Sequence, residues 1–453
     1  MEVPLPQMGR IRQTLVSRPL ADLSGSVARQ IARIAPALPV RPGATVAVGC
    51  SSRGIANYAR IVGAVVRQLQ AEGYRPFLFP AMGSHGAATA EGQAQVLARA
   101  GICEASMGCP VVSSMEVQPL GTLPTGMPVA MDRSAFQADA FVVVNRVRGH
   151  TEFTHGFESG LMKMMAIGMG KEFGATLYHR YFLRHGYGAT IQAVAERVMG
   201  ARPLLFGVGI VEDGRAQTSD VRVIAADRLV PEETELLSLA RSMTPGLPFD
   251  AIDVLVIDAM GKDISGSGFD TKVVGRLSMP LVGPDPERPR VKRIVVCDLT
   301  DASKGNADGV GIADFITGRL YGKIDRQALY VNALAGSEPE HARIPMVLPT
   351  DRDAVAAGIA TIGPVQAETL RLVRIANTRD LEYLEASSAL LAECSGRPGL
   401  EVLGGRHPLA FADDGRLLPL TGAGPADGLR ARQDMSAATP RPDPCPGLRS
   451  SLD

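Results

Sequence analysis

What most limits the folds open to this chain is an alternation repeated along its length. Short, β-branched apolar runs are separated by longer stretches of helical period, which is the pattern of a parallel α/β architecture. ATVAVGC (44–50) reads as a strand, and NYARIVGAVVRQLQAEG (57–73) as the amphipathic helix after it, stopped by Gly73. RPFLFP (75–80) is the next strand, and Thr89 is a suitable N-cap for a helix ending at Gly101. DAFVVVNRV (139–147) and LLFGVGIVED (204–213) continue the series, the latter turning back as a hairpin into 215–227. A second series starts after TPGLPFD (244–250), with strands expected at 252–259, 291–299, 343–349 and 371–377. The expected fold class is therefore α/β. Two parallel-sheet domains are expected, residues 1–245 and 246–420, with the active site in the cleft between them. Residues 421–453 are rich in Gly, Pro and charge and lack periodicity, which predicts a disordered tail.

Forty-seven basic residues balance forty-seven acidic ones, so no net field favours nucleic acid or an anionic membrane. Aromatic content is 5% and Trp is absent, which removes the usual base-stacking platforms. No apolar run reaches membrane-spanning length, and the N-terminus lacks a signal-peptide core, so a cytoplasmic location is expected. The six cysteines include no CxxC pair, and Cys50 and Cys297 read as small core residues.

In open parallel sheets, ligands bind beyond the carboxyl ends of the strands. The first strand here runs into SSRG, with Arg53; the second into AMGSHG, with His85; the third into NRVRGH, with Asn145, Arg148 and His150. In the second series two strands end in MGKDISGSGFD and DLTDASKGN. Arg53 suits bidentate binding of a carboxylate. His85 and His150, beside glycines in polar loops, suit proton transfer near neutral pH. Lys163 lies inside the apolar LMKMMAIGMG, where an ammonium is costly unless it is paired, snorkels to water, or is converted to a neutral link. The GSG at 266–268 fits no nucleotide fingerprint, although its backbone could face an anion. The residues alone leave two other readings: a zinc or manganese hydrolase using His150, Glu152, His155 and Glu158, and a non-catalytic small-molecule binding protein.

Six motifs carry a resemblance over roughly residues 20–400: SSRGIANY, PAMGSHGAATAEGQ, NRVRGHTEF, ESGLMKMMAIGMGK, YHRYF and GKDISGSGFDTKVVGR. In order and spacing the chain resembles the nickel-dependent lactate racemase family, broadly taken to include other 2-hydroxyacid racemases and epimerases. The resemblance implies a nickel-pincer nucleotide, a Ni-pyridinium-3-thioamide-5-thiocarboxylic acid mononucleotide, tethered to Lys163 with its Ni2+ completed by His179. It implies His85 and His150 as the acid/base pair, Arg53 on the substrate carboxylate, and Lys262 or Lys272 as a further substrate contact, Lys262 preferred. His155 is the alternative base. The implied partners are a 2-hydroxy acid or sugar acid and cofactor-installing enzymes, with no nucleic acid and no membrane. Inversion would proceed by removing hydride from the substrate carbon while one histidine takes the hydroxyl proton, then returning hydride to the opposite face.

Overall fold

A computed structural model describes residues 3–52 and 54–420. They form two compact units: residues 16–244, and residues 3–15 together with 245–420. Among the described residues, no helix is long and apolar enough to cross a membrane.

The first unit is built on a five-stranded sheet in the order Arg75–Pro80, Thr45–Cys50, Ala140–Arg146, Leu204–Glu212 and Thr218–Ala225. The first four run parallel and the last returns as an antiparallel hairpin. Val46, Val48, Val142 and Val144 are wholly buried at its centre, as expected of strands covered on both faces. The helix Tyr58–Ala71 buries Ile61, Val62, Val65, Val66 and Leu69, which lie on one stripe at helical spacing and pack on that sheet. Gly73 ends this segment at φ +83°, a conformation open to glycine. Thr89 caps the helix Ala90–Arg99 by accepting the Gly92 N–H at 3.0 Å.

The second unit contains an eight-stranded sheet. Met346–Leu348, Phe315–Thr317, Arg290–Val296, Ala251–Ile257 and Leu372–Ile375 run parallel. Tyr383–Ser387, Gln7–Gln13 and Leu400–Pro408 extend it antiparallel. Both sheets are thus mostly parallel, with antiparallel strands at one edge, and the fold class is α/β. The first domain was expected to start at residue 1; Gln7–Gln13 instead lies in the second sheet, with Met8 opposite Ser387 and Ile11 opposite Leu384. The expected tail, 421–453, falls outside the described residues.

Candidate active site

The polar residues collect, as the sheet rule requires, where the strands of the first unit end. Arg53 lies outside the described residues, but the loop around it is anchored on both sides. Tyr58 receives the Ser51 N–H on its hydroxyl and donates to the Val144 carbonyl at 2.8 Å. Glu212 accepts the Ala56 N–H at 2.7 Å and also pairs with Arg146.

Lys163 ends a single helical turn, Leu161–Lys163, which passes directly into a π-helical stretch, Met164–Gly168. Such a stretch is rare and commonly marks a working site. Glu233 sets the start of the turn. Its fully buried carboxylate accepts the N–H of Leu161 at 2.9 Å and of Met162 at 3.1 Å. Gly160 makes room for it, since a Cβ there would meet the Glu233 Oε1 at 1.9 Å. Burial pushes this carboxyl up to about 7, against the two backbone hydrogen bonds. The side chain of Lys163 is half-buried, and its Nζ meets the Nε2 of His150.

His150 is oriented by its own loop. Its backbone N–H donates to Glu158, its Nδ1 accepts the Glu152 N–H at 3.1 Å, and the Glu152 carboxylate lies 4.0 Å from the same nitrogen. Which of His150 Nε2 and Lys163 Nζ donates depends on the tautomer of the ring, and the contact sets the lysine nitrogen directly against the imidazole.

His179 sits on the helix Lys171–His185. Its Nδ1 faces the carbonyl of Ala175, one turn back, and must donate to it. The lone pair is then on Nε2, the tautomer that a metal-binding imidazole needs. Burial lowers the ring's pKa, the Ala175 carbonyl opposes that, and Lys163 and Glu152 are both near enough to act on it, in opposite senses. Lys163, His150, Glu152 and His179 are thus one electrostatic group. The Nε2 of His179 fits a metal bound through nitrogen.

His85 is exposed, on the loop after Arg75–Pro80. That loop rests on the elements carrying Lys163 and His179: a Cβ on Gly83 would come within 2.8 Å of the Ala175 Cβ, and one on Gly168 within 2.5 Å of the Ala81 carbonyl. Gln93, fully buried, holds the loop by donating to the carbonyls of Met82, Gly83 and His85 at 3.1, 2.9 and 3.3 Å. Its Oε1 accepts from Lys171 Nζ at 2.9 Å, and the same ammonium donates to the Pro80 carbonyl at 2.7 Å and pairs with Asp132 at 3.2 Å. Lys171 is thus a buried strut between the two halves of the site. Sequence reasoning missed Glu233, Gln93, Asp132 and Lys171 as site-forming residues. Glu233 left a trace, because it stands on the apolar stripe Leu229, Leu236, Leu237, Ala240 of its helix.

The hydrolase set fares poorly. Glu158 is wholly buried and accepts the N–H groups of His150 and His155 while pairing with Arg241. It organises a turn, and among the described residues it belongs to no cluster able to hold a metal. His155 is exposed, its Nδ1 facing the Phe157 N–H at 3.4 Å. In the second unit, Lys262 Nζ reaches the Gly266 carbonyl and Asp308 Oδ2, the latter at 3.1 Å. Lys272 lies on the short helix Thr271–Val274.

Residues 40–190, the stretch holding His85, His150, Lys163 and His179, match the lactate racemase N-terminal domain. Over this segment, about a third of its length, the chain is similar to the lactate racemase family. The match suggests a racemase or epimerase, an isomerase acting on a small molecule. Among solved structures, the chain is similar to a protein of Thermotoga maritima, at 14% identity and a TM-score of 0.44, over 62% of this chain and 72% of that one. It is also similar to the lactate racemase apoprotein of Thermoanaerobacterium thermosaccharolyticum, at 15% identity and a TM-score of 0.41, over 63% and 69%. No curated protein matches it significantly.

Proposed function

We propose that this protein is a nickel-pincer-dependent racemase or epimerase of a 2-hydroxy acid, working by reversible hydride transfer. The observation that best supports the reading is that Lys163 lies against His150 and close enough to His179 to act on it, while His179 Nδ1 donates to Ala175 and so leaves Nε2 for a metal. Lys163 would hold the nucleotide covalently, and His179, its Nδ1 spent on Ala175, would offer Nε2 to nickel. When bound, the group supplies a hydride acceptor. His85 and His150 exchange the hydroxyl proton of the two enantiomers, each from one face. The Glu152 carboxylate, 4.0 Å from Nδ1, favours the imidazolium formed when His150 takes that proton. Arg53 and Lys262 are proposed for the substrate's carboxylate and polar groups. The cytoplasm, where enzymes installing such a group would act, is the proposed location.

The test is peptide mass spectrometry of protein made together with cofactor-installing enzymes. An adduct is expected on Lys163 and not on Lys171. Lys163→Ala should carry no adduct and no racemase activity, yet keep the wild-type circular dichroism spectrum, since removing a partly buried amine need not destabilise. Active enzyme with an unmodified Lys163 refutes the reading.

A further inference from the structure

The second unit holds a polar cluster that the racemase reading does not use. Asp308, Glu338 and His341 are all buried, at 2%, 4% and 0% exposure, and each offers one ligand atom to a common point, these atoms all lying within 4.8 Å of one another. They come from two places in the chain: Asp308 from the loop before the turn Val310–Ile312, and Glu338 and His341 from the turn Pro339–Ala342 and its N-cap.

Two atoms of this cluster lack the hydrogen bonds that buried polar groups almost always find. Asp308 Oδ2 is served by Lys262 at 3.1 Å and Asn332 at 2.9 Å, whereas Oδ1 has no hydrogen-bond partner. His341 Nε2 faces the Leu277 carbonyl at 3.1 Å and must donate to it, which leaves the lone pair of the neutral ring on Nδ1. That Nδ1 makes no well-aligned hydrogen bond, although Glu338 Oε2 is only 3.0 Å away and its proximity raises the ring's pKa against the effect of burial. Two ligands bound side by side on one ion, each at about 2.1 Å, sit about 3.0–3.4 Å apart with both lone pairs aimed at the ion and not at each other. The carbonyl behind Nε2 is the usual support of a ligating imidazole.

We infer that Asp308 Oδ1, Glu338 and His341 Nδ1 form a divalent-metal site for a zinc- or manganese-like ion, beside Lys262 but using none of the residues assigned to the racemase chemistry. One imidazole with two carboxylates suits borderline and hard ions better than soft ones. Because all three ligands are buried, the ion would act structurally, clamping the 308 loop to the 338–341 turn. The site does not depend on the function assigned to the first unit.

The experiment uses full-length His179→Ala protein made without cofactor-installing enzymes and stripped with chelator, so that the proposed nickel ligand plays no part. Zn2+ and Mn2+ are titrated by calorimetry, and melting is followed by circular dichroism. One ion per chain is expected, with a rise in melting temperature on the order of 5–10 °C at saturating ion. Adding His341→Ala, or Glu338→Gln where the alanine variant fails to fold, should weaken binding at least tenfold and abolish the rise. Co2+ should give visible ligand-field bands that change in Glu338→Gln. Absence of binding at 100-fold excess overturns the inference and leaves a proton shared by His341 and Glu338. Undiminished binding in the folded double variants overturns it equally, because the ion is then held elsewhere.

Discussion

Glu233 gives a measurable link between pH and the helical turn that presents Lys163. Its carboxyl is moved from an ordinary 4.5 to about 7, chiefly by burial. The unfolded chain releases this proton near 4.5, whereas the folded chain keeps it until about 7. Folded stability must therefore fall as pH rises through that interval and level off above it. At about 1.4 kcal/mol for each tenfold change, the loss is about 3 kcal/mol at pH 8. Glu233→Gln removes the titration while keeping an acceptor for one of the Leu161 and Met162 N–H groups. Whatever constant offset the amide introduces, the stability difference between wild type and variant should drift by about 3 kcal/mol in the variant's favour from pH 4.5 to 8. With a urea dependence of about 2–3 kcal/mol per molar, the two midpoints should move relative to one another by about 1–1.5 M. Urea unfolding followed by circular dichroism at four pH values reads this directly. Hydrogen exchange at Leu161 and Met162 locates the effect. A midpoint difference that stays constant across this range refutes the reasoning, since Glu233 would then titrate as an ordinary carboxyl.

His179→Ala should lose nickel from cofactor-loaded protein while keeping its fold, as metal analysis would show; stoichiometric zinc in active wild-type enzyme would instead argue against the nickel reading. His85→Ala and His150→Ala should each lower turnover by about 10²–10⁴-fold with a smaller change in substrate affinity, and near-wild-type turnover removes that histidine from proton transfer. Lys171→Met leaves the buried Asp132 unpaired and should destabilise the protein by about 3–5 kcal/mol in chemical unfolding, whereas the double variant Lys171→Met, Asp132→Asn should recover much of that loss.

Wherever the information was local, it was legible in the sequence. The run RPFLFP is the strand Arg75–Pro80, and the Thr89 cap, the 204–225 hairpin and the parallel core strands all follow from side-chain period and turn chemistry. Strand ends also directed attention to His85 and His150, because a parallel sheet brings its carboxyl edges together whatever the chain does between them. Partners distant in sequence were not legible. Gln7–Gln13 pairs with residues more than 370 positions away, and nothing in seven residues names that partner. Glu233 reaches the turn of Lys163 from 70 residues further on, and Lys171 ties together Pro80, Gln93 and Asp132 from three separate elements. Which nitrogen of a neutral His179 or His341 keeps its lone pair is decided by the carbonyl that the fold brings against the ring. Residue type and spacing thus determined the architecture and the chemical inventory. Only the tertiary structure decided protonation and orientation, because these depend on hydrogen-bond partners supplied by distant parts of the chain.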